Sequence, residues 1–244
     1  MEYKYVKFLP WVGVNYKEKE GFQGKKILIL GDSHYCEKEK NRNEECKLHW
    51  EENGCKCSYN CMNKACYSMT ECLIRNEYLE SRRNGGAMAR HLHTILNFEK
   101  NLFNCTPTAD ASVDFWSRVI FYNYIQHSQH EPGIRRKTSS KEKEEYRQAF
   151  KEVLEVYRPK YIIVWSKMLF TKDWLPDGTS EFPDYTLKTE SDGCVYEAPV
   201  RVFKTDDGTL IHALITQHPC CRYGNGKYQP KWHALLKEFL KLNV

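Results

Sequence analysis

Four short apolar runs constrain the fold of this chain more than any other feature. They occupy residues 26–30, 119–126, 161–165 and 209–217. The first, KILIL, is bounded by Gly24 and Gly31, two residues that commonly interrupt regular structure. Apolar runs of this length between turn-forming residues are typical of strands that are buried on both faces. The chain therefore contains four candidate core strands.

A tight turn and several helical segments lie between these runs. The turn Asp206-Asp207-Gly208 follows the partly alternating segment 200–204, which predicts a hairpin leading into the last core strand. Residues 141–157 repeat apolar side chains three and four residues apart, as expected for an amphipathic helix. A similar helix begins at Pro230, and a weaker one spans roughly 87–98.

Strands that alternate with amphipathic helices predict an α/β protein. We expect a three-layer α/β/α sandwich with a short, mainly parallel central sheet. The 244 residues fit a single domain, 1–244. The segment at about 36–85 is too long and polar for a simple connection, and we interpret it as a Cys-rich insertion folded over the site. In sheets of this kind, ligands bind beyond the carboxyl ends of the strands.

Charge and hydropathy narrow the range of partners. The net charge of +5 suits a polyanion such as DNA or a nucleotide without requiring one. No apolar run reaches the ~18 residues of a membrane helix. The start of the sequence, MEYKYVKFLPW, has no apolar core of the secretory type. We therefore expect a cytoplasmic monomer with no membrane partner.

Polar residues follow three of the predicted strands. Asp32 comes directly after the first strand, Asn123 lies within the second, and His218 follows the fourth. A carboxylate can position a water molecule and stabilise a cationic, sugar-like transition state. An imidazole can donate a hydrogen bond to a developing anion, and a carboxamide can read a pyrimidine edge with its donor and acceptor together. The set suits cleavage of a bond whose leaving group departs as an anion.

The motifs that carry these residues resemble one family. ILILGDSHY, FYNYIQ, PKYIIVW and QHP occur in this order and resemble the uracil-DNA glycosylase superfamily. They are more similar still to uncharacterised bacterial members whose first motif reads G-[ED]-S-H-Y. The resemblance implies that Asp32 activates water, that His218 steadies the departing base, and that the reaction requires no cofactor. The base-binding residues that it implies are Asn123, Tyr35, His34 and Ser33.

Such an enzyme extrudes its base from the duplex and holds the phosphate backbone. Basic residues close to the His-Pro motif, Arg222, Lys227 and Lys231, could make those backbone contacts. A second basic group, Arg135-Arg136-Lys137, is an alternative. Either group could equally be a solvated basic loop.

The cysteines form a separate pattern. The crowded ones are Cys46, Cys55, Cys57, Cys61, Cys66 and Cys72. Without a secretory signal, reduced thiols or a metal site are expected rather than disulfides. No pair has the C-x2-C spacing typical of zinc knuckles. If a zinc ion or an iron–sulfur cluster is bound, its expected ligands are Cys55, Cys57, Cys61 and Cys66.

Two other functions remain open from the sequence. Gly31-Asp32-Ser33 matches the nucleophile block of the SGNH-type esterases, in which Ser33 would attack an ester with His218 as its base. That family places an Asp three residues before the His, whereas residue 215 is Ile. The third interpretation is a non-catalytic module that binds a nucleotide or nucleic acid on the glycosylase fold.

Overall fold

A seven-stranded sheet forms the centre of the protein, seen in a computed structural model. The structure describes residues 3–17, 21–35, 69–85, 87–126, 128–129, 138–171, 174–219 and 230–241. The strands are β1 (Trp11–Val12), β2 (Ile27–Gly31), β3 (His34–Tyr35), β4 (Ile120–Asn123), β5 (Ser128–Gln129), β6 (Tyr161–Val164), β7 (Tyr185–Ser191), β8 (Cys194–Lys204) and β9 (Leu210–Ile215). The sheet order is β1-β4-β2-β6-β9-β8-β7, and β3 pairs separately with β5.

The sheet is mixed, with a parallel centre. Strands β4, β2, β6 and β9 run parallel to one another. β1 joins β4 antiparallel, and the hairpin β7–β8 joins β9 antiparallel. The four predicted core strands and the hairpin into β9 are therefore confirmed. The expectation of a mainly parallel sheet is wrong, because a long hairpin and a short edge strand complete the sheet with antiparallel pairs.

Helices cover both faces of this sheet. The first, α1, is α-helical at Met69–Glu71, π-helical at Cys72–Leu79 and α-helical again at Glu80–Asn84. The others are α2 (His93–Phe103, after the 3-10 turn Arg90–Leu92), α3 (Ala109–Ser117), α4 (Ser140–Tyr157), α5 (Lys167–Thr171) and α6 (Pro230–Lys241). Within the described residues, no helix is long and apolar enough to cross a membrane.

Successive residues of β2 face opposite sides of the sheet and so define two cores. Ile27 and Ile29 pack with residues of α1, α2, α3 and α6. Leu28 and Leu30 pack with residues of α4 and α5. All four side chains are fully buried, so β2 is covered on both faces, as its continuous apolar sequence predicts.

Part of the segment predicted to be an insertion belongs to the core. Ile74 and Tyr78 of α1 are fully buried on the same face of the sheet as Ile29. The described end of the segment 36–85 is therefore a core helix, while residues 36–68 lie outside the described residues. The weaker helix expected at 87–98 begins later, as α2, and ends where Asn104 adopts a left-handed backbone conformation.

The α4 helix begins with the capping box that its sequence predicts. The Ser139 hydroxyl accepts a hydrogen bond from the backbone N–H of Glu142 at 3.2 Å. The Glu142 carboxylate in turn accepts from the backbone N–H of Ser139 at 2.8 Å. Both contacts satisfy donors that have no partner within the helix.

We expect Ser139→Ala to lower the free energy of unfolding by about 1 kcal/mol, because the cap of α4 is lost. Urea denaturation followed by circular dichroism measures this change. Ser140→Ala is the matched control, since Ser140 is the exposed first residue of the same helix. Equal destabilisation by the two substitutions would contradict a capping role for Ser139.

Candidate functional site

The carboxyl ends of the parallel strands β2 and β4 lie side by side at one edge of the sheet. Among the described residues, the first helix after β2 is α1, which packs on one face of the sheet, and the first helix after β4 is α4, which packs on the other. In open α/β sheets, ligands bind in the crevice beyond the carboxyl ends of the parallel strands. Asp32 directly follows β2, and Asn123 is the last residue of β4. The two residues that sequence analysis singled out therefore lie on adjacent strands at this point.

The segments that follow β2 and β4 stay hydrogen-bonded to each other beyond the sheet. The backbone N–H of Tyr124 donates to the Gly31 carbonyl at 3.0 Å, and that of Ile125 donates to the Asp32 carbonyl at 2.9 Å. The short strands β3 and β5 continue the same pairing. This continued pairing covers polar side chains at the strand ends, and Asp32 is only 7% exposed.

Gly31 makes room for the Asn123 side chain. A Cβ atom at residue 31 would lie 2.0 Å from the Oδ1 of Asn123 and 3.0 Å from the Phe121 ring. No side chain fits there without displacing its neighbours. The Asn123 carboxamide is 4% exposed and rests directly against the β2 backbone.

His34 contacts the other end of the same carboxamide. The Nδ2 of Asn123 lies 3.2 Å from both ring nitrogens of His34. The Oγ1 of Thr70, on α1, lies 3.2 Å from the Nε2 of His34. The Phe8 ring packs against the imidazole with 4.8 Å between centroids. Burial lowers the pKa of His34 from 6.5 to about 3, so the ring is neutral.

Gln126 connects the backbone of Asn123 to the segment that contains Phe8, near the beginning of the chain. Its Oε1 accepts hydrogen bonds from the backbone N–H groups of Lys7 and Phe8, at 2.9 and 3.0 Å. Its Nε2 donates to the backbone carbonyl of Asn123 at 2.7 Å. Gln126 therefore holds both the Phe8 segment that covers His34 and the backbone of Asn123.

His218 lies on the same edge of the sheet, two strands further along. Thr216 fixes the chain after β9, because its N–H and its hydroxyl both donate to the Val164 carbonyl at 2.8 Å. The Nδ2 of Asn97, on α2, donates to the Pro219 carbonyl at 3.3 Å. The loop that carries the partly exposed His218 is thus anchored to β6 and α2.

The remaining predicted site residues are described only in part. Ser33 is half-buried between Asp32 and His34, and the backbone of Tyr35 forms part of β3. Lys231 lies on α6, with its ammonium 5.3 Å from the centre of the Trp232 ring. The residues Arg222, Lys227, Arg135, Arg136, Lys137, Cys55, Cys57, Cys61 and Cys66 lie outside the described residues.

Three residues around Asn123 were missed by sequence reasoning. Thr70 belongs to the polar segment after β2. Phe8 lies in the first residues of the sequence, MEYKYVKFLPW, where the sequence pattern indicated only that a secretory signal core is missing. Gln126 lies within FYNYIQ, three residues after Asn123, and this proximity was the one available signal. All three are buried.

A second buried carboxyl group has a structural role. Glu99, on α2, accepts hydrogen bonds from the Ser112 hydroxyl at 2.7 Å and the Trp116 indole at 2.6 Å, both on α3. Burial raises the pKa of Glu99. These bonds join α2 to α3 within the core, so we assign Glu99 to the fold.

Among the described residues, no group of three or more His, Cys, Asp or Glu side chains could hold a metal ion.

The sequence matches no model of a known protein family and no curated protein. Any assignment of function therefore depends on the geometry of this site and on the motifs that form it.

We expect the buried, neutral His34 to make folding stability depend on pH. Its pKa is about 3 in the folded protein, below its ordinary value of 6.5. Between these values the unfolded chain binds a proton that the folded protein does not. Stability should therefore fall as the pH falls from 6.5, by up to about 1.4 kcal/mol per pH unit from this residue alone.

Urea denaturation of the wild type and of His34→Gln at pH 7, 6, 5 and 4 measures this dependence. The variant should show the shallower loss of stability towards acid pH. Near and above pH 7 the two proteins should depend on pH equally, which serves as the internal control. Parallel curves between pH 6 and 4 would show that His34 is protonated normally and is not buried as described.

Proposed function

We propose that the protein hydrolyses the N-glycosidic bond of uracil or another modified base in DNA. The observation that carries this proposal is the burial of a carboxylate, Asp32, and a carboxamide, Asn123, at adjacent parallel strand ends. His218 lies on the same edge and supplies a third functional group. The motifs that hold these residues resemble those of the uracil-DNA glycosylases. The α/β fold, with helices on both faces of the sheet, agrees with that architecture.

Each residue has a separate role in the proposed reaction. Asp32 positions the attacking water and stabilises positive charge on the sugar as the bond to the base breaks. His218 donates a hydrogen bond to the base, which leaves as an anion. Asn123 binds the pyrimidine edge through its amide hydrogen and its carbonyl oxygen. Because the site is largely buried, these interactions act in a medium of low dielectric constant and are stronger than in water.

Reaction on DNA requires that the target base leave the stack and enter this site. The protein must then contact the phosphates on either side of the extruded nucleotide. The net charge of +5 favours such contacts. Lys231, with Arg222 and Lys227 earlier in the sequence, is our candidate for the backbone contact, and we propose DNA as the natural substrate.

One observation counts against the esterase interpretation. An SGNH-type triad needs an acid three residues before the catalytic His, and here that residue is Ile215. Ile215 lies in β9 and is fully buried in the apolar core, facing β6. Among the described residues, no carboxylate therefore lies where that triad needs one.

A glycosylase assay tests the proposal. Labelled single- and double-stranded DNA with a single uracil, hypoxanthine or xanthine is incubated with protein and then treated with alkali, which cleaves at abasic sites. We expect cleavage by the wild type. Asp32→Asn should lower the rate by about 10²-fold or more, because the water is no longer activated. His218→Ala should lower it by about 10²- to 10³-fold, because the leaving anion loses its hydrogen-bond donor.

Matched control variants separate the site from general effects of substitution. Asp110→Asn changes an exposed carboxylate on α3, and His91→Ala removes an exposed imidazole before α2. Both should retain wild-type rates. If folded wild-type protein cleaves none of the substrates, the enzymatic proposal fails. Tight binding of the same DNA without cleavage would then identify a binding module on this fold.

A further inference from the structure

We infer that the outer edge of β7 is a self-association surface, at which two copies of this chain pair their β7 strands antiparallel with Lys188 of each copy opposite Glu190 of the other. This differs from the monomer expected from the sequence, which gives no view of the sheet edges. The inference does not depend on the proposed function, because β7 lies at one end of the sheet and β6, β9 and β8 separate it from β2.

The sheet ends in two edge strands of different length. β1, at one end, has two residues, and a very short edge strand is one way in which proteins prevent further pairing. β7, at the other end, has seven residues without a proline and pairs with β8 over its whole length. Among the described residues, no strand pairs with its outer side. β7 is therefore the edge at which this sheet can accept a further strand.

The turn of the hairpin determines which peptide groups of β7 bond to β8. Asp192 and Gly193 both have a positive φ, of 53° and 71°, as a two-residue type I′ turn requires. The residues on either side of such a turn, here Ser191 and Cys194, form a hydrogen-bonded pair. Bonded and non-bonded pairs then alternate along the hairpin. The odd-numbered residues of β7 therefore bond to β8, and the even-numbered residues direct their N–H and C=O groups outwards.

Two features of β8 agree with this alternation. Thr186 lies opposite Pro199, which has no N–H with which to form a bonded pair. Just before β7 begins, the N–H of Val202 donates to Oδ1 of Asp184 at 3.2 Å. The carbonyl of Val202 accepts from the N–H of Thr179 at 2.9 Å. Val202 thus directs its peptide groups to the β7 side, as an even-numbered residue of β8 should.

The outward-facing residues of β7 carry charges of both signs. These residues are Thr186, Lys188 and Glu190. Their side chains are exposed and project from the face of the sheet opposite to the buried Leu187. Lys188 lies 3.6 Å from Glu197 of β8, but these two side chains are 66% and 62% exposed. Glu190 has no ion-pair partner among the described residues.

The order of these charges favours one register for two identical strands. The outward N–H and C=O groups meet only when even-numbered residues lie opposite even-numbered residues. With Lys188 on the two-fold axis, two ammonium groups face each other, which is destabilising. With Thr186 opposite Lys188, those two positions form no ion pair. With Thr189 on the axis, Lys188 of one copy faces Glu190 of the other, and the symmetry repeats the pair.

The composition of β7 is unlike that of an edge strand that resists pairing. Protected edges often carry lysine, proline or a bulge, which oppose any added strand. In β7 one positive and one negative charge stand two residues apart. Two-fold symmetry turns that order into attraction for a second copy, whereas most other strands leave a charge unmatched. The pairing supplies about four backbone hydrogen bonds, so we expect a weak, concentration-dependent dimer.

Sedimentation velocity of the full chain, in reductant and over a series of concentrations, tests the association. Reductant excludes dimers joined through cysteine. We expect the 28.9 kDa monomer to be replaced by a species of twice that mass as the concentration rises. Glu190→Lys places like charges opposite each other in both pairs and should weaken the dimer by about 10-fold. Glu80→Lys, at an exposed carboxylate on α1, makes the same change in net charge and should dimerise like the wild type.

A second substitution separates specific pairing from a general effect of charge. Lys188→Glu combined with Glu190→Lys reverses the order of the charges, so that each pair across the axis again joins opposite signs. This double variant should recover most of the wild-type association. Loss of the contact with Glu197 should matter little, because that ion pair is largely exposed. No recovery in a double variant that circular dichroism shows to be folded would overturn the register.

Zero-length cross-linking identifies the register directly. A carbodiimide joins a lysine to a carboxylate only where the two are in contact. Nitrogen-14 and nitrogen-15 protein are mixed, so that a link between copies gives a peptide of mixed label. We expect such a link between Lys188 and Glu190.

Three results would overturn the proposed dimer. They are a wild type that stays monomeric at every concentration, a dimer that Glu190→Lys leaves intact, and links between copies only at other residues. None of these results decides whether the protein cleaves DNA, and failure of the glycosylase assay does not decide whether β7 pairs with a second copy.

Discussion

β2 lies between β4 and β6 with apolar cores on both of its faces, so the rest of the structure is placed relative to its five residues. Its last residue, Gly31, pairs with Asn123 in the parallel ladder to β4. Only a residue without a side chain permits the carboxamide of Asn123 to lie against the strand at this point. The same register brings Asp32 to the end of the neighbouring strand. The geometry of the site is therefore a direct consequence of how β2 pairs with β4.

The polar groups at this edge are buried, and buried polar groups are costly unless they are paired. His34 pairs with both Asn123 and Thr70, and Gln126 pairs with backbone groups on two segments. Each bond contributes little net stability, but breaking one would leave a partner unsatisfied in the interior. The network therefore restrains the side chains at this edge of the sheet. A rigid arrangement of this kind is what a site needs in order to recognise a ligand by hydrogen bonds.

Much of the fold follows from patterns that are visible in the sequence. The apolar runs of β2, β4, β6 and β9 predict the core strands because strands buried on both faces need continuous apolar residues. The Ser139 capping box and the apolar stripe after it predict α4. The antiparallel hairpin β7–β8 is harder to predict, because few of its residues are buried and Pro199 interrupts its pattern. Its position depends on pairing with β9, which is a tertiary interaction.

The candidate site can be predicted from the sequence only in part. Asp32 and Asn123 can be placed together from the rule that parallel strands end at one edge. The support of Asn123 cannot, since Thr70, His34 and Phe8 come from three segments that only the folded chain brings together. Thr70 lies in a segment of polar composition that nevertheless contains a core helix, in which Ile74 and Tyr78 are fully buried together with Thr70 itself.

Contacts from distant segments of the chain restrain the side chain and the backbone of Asn123. Its Nδ2 contacts the ring of His34 in β3, and that ring in turn contacts Thr70 of α1 and Phe8 near the beginning of the chain. Gln126 joins that beginning to the backbone of Asn123, so the contacts form a closed circuit. A shift of the Asn123 residue would therefore disturb contacts of both its side chain and its backbone, and those contacts are buried. The contacts that fold the core therefore also restrain the side chain of Asn123.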